Sequence, residues 1–113
     1  MMDAYAPARK LIDRNVPIAL ATDLNPNCWT ENMQFMIQLA CLKMKMTPAE
    51  AITGATYNAA CALNLQNQIG SIEPKKQADI IILDIENHRM LPYHFGINLV
   101  DTVIKKGEIM GQI

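Results

Sequence analysis

The residue best suited to chemistry is Asp23, at the end of the stretch Val-Pro-Ile-Ala-Leu-Ala-Thr-Asp that occupies 16–23. A carboxylate at such a point can ligate a metal, accept a proton, or tie down a turn through local hydrogen bonds. Asn25, Pro26 and Asn27 follow within four positions, so the character changes at once from apolar to polar and turn-forming. Elsewhere the groups able to bind metals are sparse. There are two histidines, His88 and His94, and three cysteines, Cys28, Cys41 and Cys61, with no Cys-x-x-Cys spacing. His88, His94 and Cys28 together match no recurrent zinc pattern, so the two histidines read as loop or interface residues. The cysteines, odd in number, read as reduced thiols, mostly buried.

The elements around Asp23 give it a place. The run 18–21 is apolar without alternation, which predicts a strand over 16–22 buried on both faces, as in a parallel sheet under helices. Ligands bind beyond the carboxyl ends of such strands, where Asp23 stands. A helix is expected over 6–14, with Pro7 in its first turn and Asn15 as a left-handed stop. Helix, tight link and buried strand make the αβ half of a βαβ repeat, which calls for more strands than this chain supplies.

A second helix is expected over 31–45, capped by Thr30 or Asn32. Its apolar stripe is Met33, Met36, Ile37, Ala40, Cys41 and Met44. Thr47, Pro48 and Glu50 form a capping-box signature opening a further helical region, 48–65, whose second stretch runs from Thr56 to Leu65; both stretches carry small apolar residues suited to close packing. From Gly70 the composition turns to strands, expected at 78–84, 100–105 and 108–110, with Lys106-Gly107 as a turn. The first two-thirds therefore reads as α/β and the last third as β.

The whole chain is 113 residues, half of them hydrophobic, which fits one domain with a real core. A net charge of −1 points to neither nucleic acid nor an anionic membrane as partner. No apolar run approaches the ~20 residues of a membrane span. The first ten residues lack a signal-peptide core, so a cytoplasmic location is expected. The eight methionines are read as core filler.

Three stretches, TPAEAITGATYNAACALNL, GSIEPKKQADIIILD and VIKKGEIM, resemble the C-terminal part of the amidohydrolase superfamily. Within it, YAPARKLIDRNVPIALATDLNPN and PYHFGINLVDTVIKKG are similar to the imidazolonepropionase family, and the similarity covers nearly the whole chain. The resemblance implies an α/β fold: the last βα unit or units of a metal-dependent (β/α)8 barrel, over 1–68, plus C-terminal strands of a β-sandwich, over 69–113. The isolated chain would be an incomplete barrel.

By the same resemblance Asp23 touches the metal and handles the proton of the attacking water, and Asn25, Asn27 and Cys28 stand at substrate-binding positions. The family often reads Asp-x-Asn-Pro-Gly-Thr, whereas Asn27 and Cys28 occupy the Gly and Thr positions here; Asn27 tolerates a positive φ. A divalent metal, zinc or iron, is implied for the complete enzyme. The family's His-x-His pair is absent, so this chain is not expected to hold the metal alone.

The implied reaction of the complete enzyme is hydrolysis of 4-imidazolone-5-propanoate to N-formimidoyl-L-glutamate, with the chain inactive by itself. Two other readings stand beside it. One is a non-catalytic remnant that self-associates. The other is a subunit completed by a separate N-terminal chain. The expected partners are thus a small-molecule substrate and a second copy or a completing chain.

Overall fold

The computed structural model describes residues 5–27 and 29–112. It is an α/β chain. Helices α1 (Ala8–Asp13), α2 (Met33–Lys43), α3 (Pro48–Ala55) and α4 (Tyr57–Ala62) are followed by strands β1 (Ile80–Leu83), β2 (Val100–Lys105) and β3 (Glu108–Gln112). A short 3-10 turn, His88–Met90, lies between β1 and β2.

Capping explains where α2 and α3 start. The Asn32 side chain accepts the Phe35 N–H at the start of α2, and Thr47 and Glu50 form a reciprocal capping box at α3 with Pro48 in the first turn. Asn15 takes φ 62 after α1, so the left-handed stop is present. The expected helical region 48–65 is two helices, the second following Thr56 as expected and ending earlier, at Ala62. The break between α3 and α4 falls at Thr56, with φ −119 and ψ −87.

The sheet is antiparallel in the order β1-β2-β3. Ile80 faces Ile104 and Leu83 faces Val100, with a bulge between Ile82 and Leu83. The β2–β3 hairpin turns through Lys106 (φ 51) and Gly107 (φ 80), both left-handed, which matches the twist of the strands they join. Asp79 pins that turn from outside. Its carboxylate accepts the Lys106 backbone N–H at 3.0 Å and the Lys105 ammonium at 2.9 Å. Those two bonds, the backbone one first, hold its carboxyl down at about 2.

The run 16–22 differs from its expectation: it carries no strand ladder among the described residues. Burial from Ile18 to Asp23 still alternates with period two, half-buried at Ile18, Leu20 and Thr22 and exposed at Ala19, Ala21 and Asp23. The side-chain pattern of a strand is therefore present, whereas a ladder requires neighbours.

The core is thinner than a half-hydrophobic composition implies. Its buried cluster is Ala8, Ile37, Ala40, Met46, Ala51, Leu91 and Leu99. Large apolar residues such as Trp29, Ile72 and Tyr93, each more than 80% exposed, lie outside it. The cause is geometric: among the described residues nothing covers those faces.

Two glutamines of α2 tie the β-rich part to the helices. Buried Gln38 donates to the carbonyls of Leu91 (3.2 Å) and His94 (3.0 Å) and accepts the Gly96 N–H at 3.2 Å. Gln34, one turn earlier, accepts the Leu99 N–H at 2.9 Å and donates to Asn98 at 2.9 Å. The irregular stretch 91–99 is thus held by side chains in place of a ladder.

Candidate functional site

The site builds outward from the run 18–22. Ile18 and Leu20 pack against the core cluster, which turns Ala19, Ala21 and Asp23 away from the helices. The Leu20 N–H donates to the Gly54 carbonyl at 2.9 Å, and the Asn58 side-chain amide donates to the Ile18 carbonyl at 2.9 Å. These two bonds dock the run on the α3–α4 pair.

Asp23 itself is exposed and left-handed, with φ 55. Such a φ is uncommon outside glycine, and Asp and Asn are the residues that tolerate it best. The turn is built by Asn25, whose amide donates to the Asp23 carbonyl at 2.6 Å and whose oxygen accepts the Asn27 N–H at 2.8 Å. The Trp29 indole N–H then donates to the Pro26 carbonyl at 2.5 Å, placing an exposed aromatic ring beside the same loop.

Asp23, Asn25 and Asn27 therefore share one loop. Cys28, the fourth residue expected there, lies outside the described residues. The histidines are elsewhere: His88 opens the 3-10 turn, and His94 sits in the stretch clamped by Gln38. Of the cysteines expected to be buried, Cys41 is half-buried and burial pushes its thiol up, whereas Cys61 is exposed on α4.

An open cleft of about 560 Å³ lies near the start of the run, lined by Ile12, Val16, Ile18, Glu50, Thr53 and Asn58 among others; Asp23 does not line it. Sequence reading passed over Trp29, Gly54 and Asn58. For the last two a signal existed, a glycine and an asparagine four apart where helix propensity favours neither, but its meaning depends on what lies opposite.

The Amidohydrolase family profile matches residues 3–110. The chain belongs to the amidohydrolase family. An imidazolonepropionase of Alkaliphilus metalliredigens is 52% identical over 111 residues, which is 97% of this chain and 26% of that protein. One from Parabacteroides distasonis is 53% identical over 108 residues, 95% of this chain and 26% of the relative. A solved adenosine deaminase of Xanthomonas campestris, with bound zinc, superposes with a TM-score of 0.82 at 26% identity, over 93% of this chain and 28% of that one. The chain thus spans about a quarter of the length of the relatives it matches.

Amidohydrolase metal chemistry depends on the donor set. A zinc site takes at least three protein ligands. Among the described residues no group of three His, Cys, Asp or Glu comes together. Asp23 supplies one donor, and its loop neighbours Asn25 and Asn27 carry amides. The described residues therefore do not by themselves make a metal site. No described helix is long and apolar enough to cross a membrane.

Proposed function

We propose that this chain acts as the C-terminal portion of an imidazolonepropionase-like amidohydrolase, the complete form of which hydrolyses 4-imidazolone-5-propanoate to N-formimidoyl-L-glutamate. The observation that carries this reading is the 52% identity to an imidazolonepropionase along 97% of the chain. In this reading 1–68 belongs to the end of a (β/α)8 barrel and 69–113 to a β-sandwich. The outward face of Ala19, Ala21 and Asp23 is the barrel interior. Its small side chains leave room there, and Asp23 ends the row beyond the strand, where ligands of parallel sheets bind.

Asp23 is then the proton carrier. It accepts a proton from the water that attacks the ring carbonyl carbon and returns it to the nitrogen released when the C–N bond breaks. Asn25, Asn27 and Cys28 form the substrate side of the loop. An amide can offer both a donor and an acceptor to a ring N–H and C=O. Zinc or iron, with the imidazoles that hold it, comes from polypeptide other than these residues, with Asp23 as the one donor contributed from here. The exposed apolar faces around Trp29, Ile72 and Tyr93 support a completing polypeptide, because such surfaces mark sites of association.

Complementation tests the reading. The purified chain is mixed with the Alkaliphilus metalliredigens imidazolonepropionase lacking its matching quarter, and formation of N-formimidoyl-glutamate is followed with divalent metal present. Neither piece alone is expected to turn over substrate, and the mixture is expected to do so. Asp23→Asn is expected to cost the mixture at least about a hundredfold in kcat, the usual worth of a positioned general base. An active complex that tolerates Asp23→Asn would refute the assigned role.

A further inference from the structure

The break at Thr56 has a chemical consequence for the run that ends at Asp23. In a continuous helix the Gly54 carbonyl would accept the N–H of residue 58 four positions on. Here α3 ends at Ala55 and the Thr56 N–H bonds back to Thr53, so the Gly54 carbonyl is one of the end carbonyls that helices leave unpaired. It accepts the Leu20 N–H instead, at 2.9 Å. The residue freed from pairing with it, Asn58, uses its side-chain amide to donate to the Ile18 carbonyl, at 2.9 Å.

In a strand the backbone groups of residues i and i+2 point to the same edge. Ile18 C=O and Leu20 N–H are such a pair, and both are taken by α3 and α4. The two helices thus occupy, at this point, the position a neighbouring strand would take. The close approach depends on Gly54: a Cβ there would meet the Ile18 carbonyl oxygen at 3.0 Å and Leu20 Cγ at 3.3 Å.

We propose that Asn58, with Gly54, is a positioning residue for the Asp23 loop: the Asn58 amide and the Gly54 carbonyl stand in for a strand neighbour along one edge of 18–20 and set where the run delivers Asp23. The importance of that position for catalysis rests on the function proposed above, whereas the clamp itself does not. The clamp also limits how the run enters a sheet. Among the described residues no backbone bond is made to Ala19 or Ala21, whereas the edge carrying Ile18 and Leu20 is closed over those residues.

Amide hydrogen exchange followed by NMR on the full chain tests this without reference to activity. Asn58→Asp keeps the shape and removes the donor. Gly54→Ala pushes on the same contact from the other partner. In both variants the Leu20 amide is expected to exchange about tenfold faster, as for loss of one hydrogen bond's worth of local stability. Amides of β2 are expected to stay within twofold of wild type, and the Asp23 amide resonance to move.

Acceleration spread equally over Leu20, α2 and β2 would reduce Asn58 to a general packing residue and overturn the proposal. An unmoved Leu20 and Asp23 in both variants would do the same. Should the clamp be found but complementation tolerate Asp23→Asn, the positioning stands and the catalytic reading alone fails.

Discussion

Glu50 makes three contacts from one carboxylate. One oxygen accepts the Thr47 backbone N–H at 2.9 Å and an Arg9 N–H at 2.7 Å; the other accepts a second Arg9 N–H at 3.0 Å. The Arg9 fork, then the Thr47 N–H, lowers the Glu50 carboxyl from the usual 4.5 to about 2. A depressed carboxyl stabilises the folded state above its unfolded value and loses that contribution as the pH falls through the folded one. The window is therefore from about 4.5 down to about 2. Both side chains are about a third exposed, so a surface-pair magnitude applies. Glu50→Gln keeps a capping acceptor and loses the charge. Urea titration is expected to show it about 0.5–1 kcal/mol less stable than wild type at neutral pH, with the gap closed near the bottom of the window. Gln38 is more sensitive, since it is buried and satisfies three backbone groups. Gln38→Leu leaves those groups unpaired and is expected to cost about 2–3 kcal/mol by the same titration.

Among the elements, α4 packs closely against the turn at Gly70. Gly70 has φ 98, and a Cβ there would lie 2.6 Å from the Ala60 Cβ and 3.2 Å from the Thr56 carbonyl oxygen. Both the conformation and the contact exclude a side chain. Gly70→Ala is expected to destabilise by at least about 2 kcal/mol, combining a strained backbone with a displaced helix. Gly107, also left-handed at φ 80, has nothing within 4 Å of its would-be Cβ. Gly107→Ala should cost only the backbone preference, roughly 1 kcal/mol. Thermal melts of the two variants side by side separate contact from conformation.

For the whole molecule, the balance between buried and exposed apolar surface dominates. Half of the buried apolar side chains among the described residues, Ala8, Ala40, Ala51 and Ala60, are alanines, which bury little area each. Meanwhile Trp29, Leu63, Ile72, Tyr93 and Ile109 stand in solvent. The radius of gyration, 14.6 Å, exceeds the roughly 13 Å of a compact domain this long. A chain with this balance gains by covering its faces. Light scattering is expected to give a mass that rises with concentration, and the completing polypeptide of the complementation assay is expected to reverse the rise. A concentration-independent monomer would count against a completing surface.

What the sequence determined is local or periodic. Caps at Asn32, Thr47 and Glu50, the left-handed Asn15, the turn at Lys106-Gly107 and the apolar strands 80–83 and 100–105 all follow from preferences that act over a few residues. The family was legible because stretches of matched residues run along nearly the whole chain. The tertiary structure alone decided the rest. Whether 16–22 becomes a ladder depends on strands outside it, so an apolar run there could not reveal its own pairing. The split at Thr56 matters only because Ile18 and Leu20 lie opposite, and Gln38 gains its role only when the carbonyls of Leu91 and His94 are brought to it. Contacts between residues 34 to 56 positions apart in the chain are set by packing, and no local pattern encodes their partners.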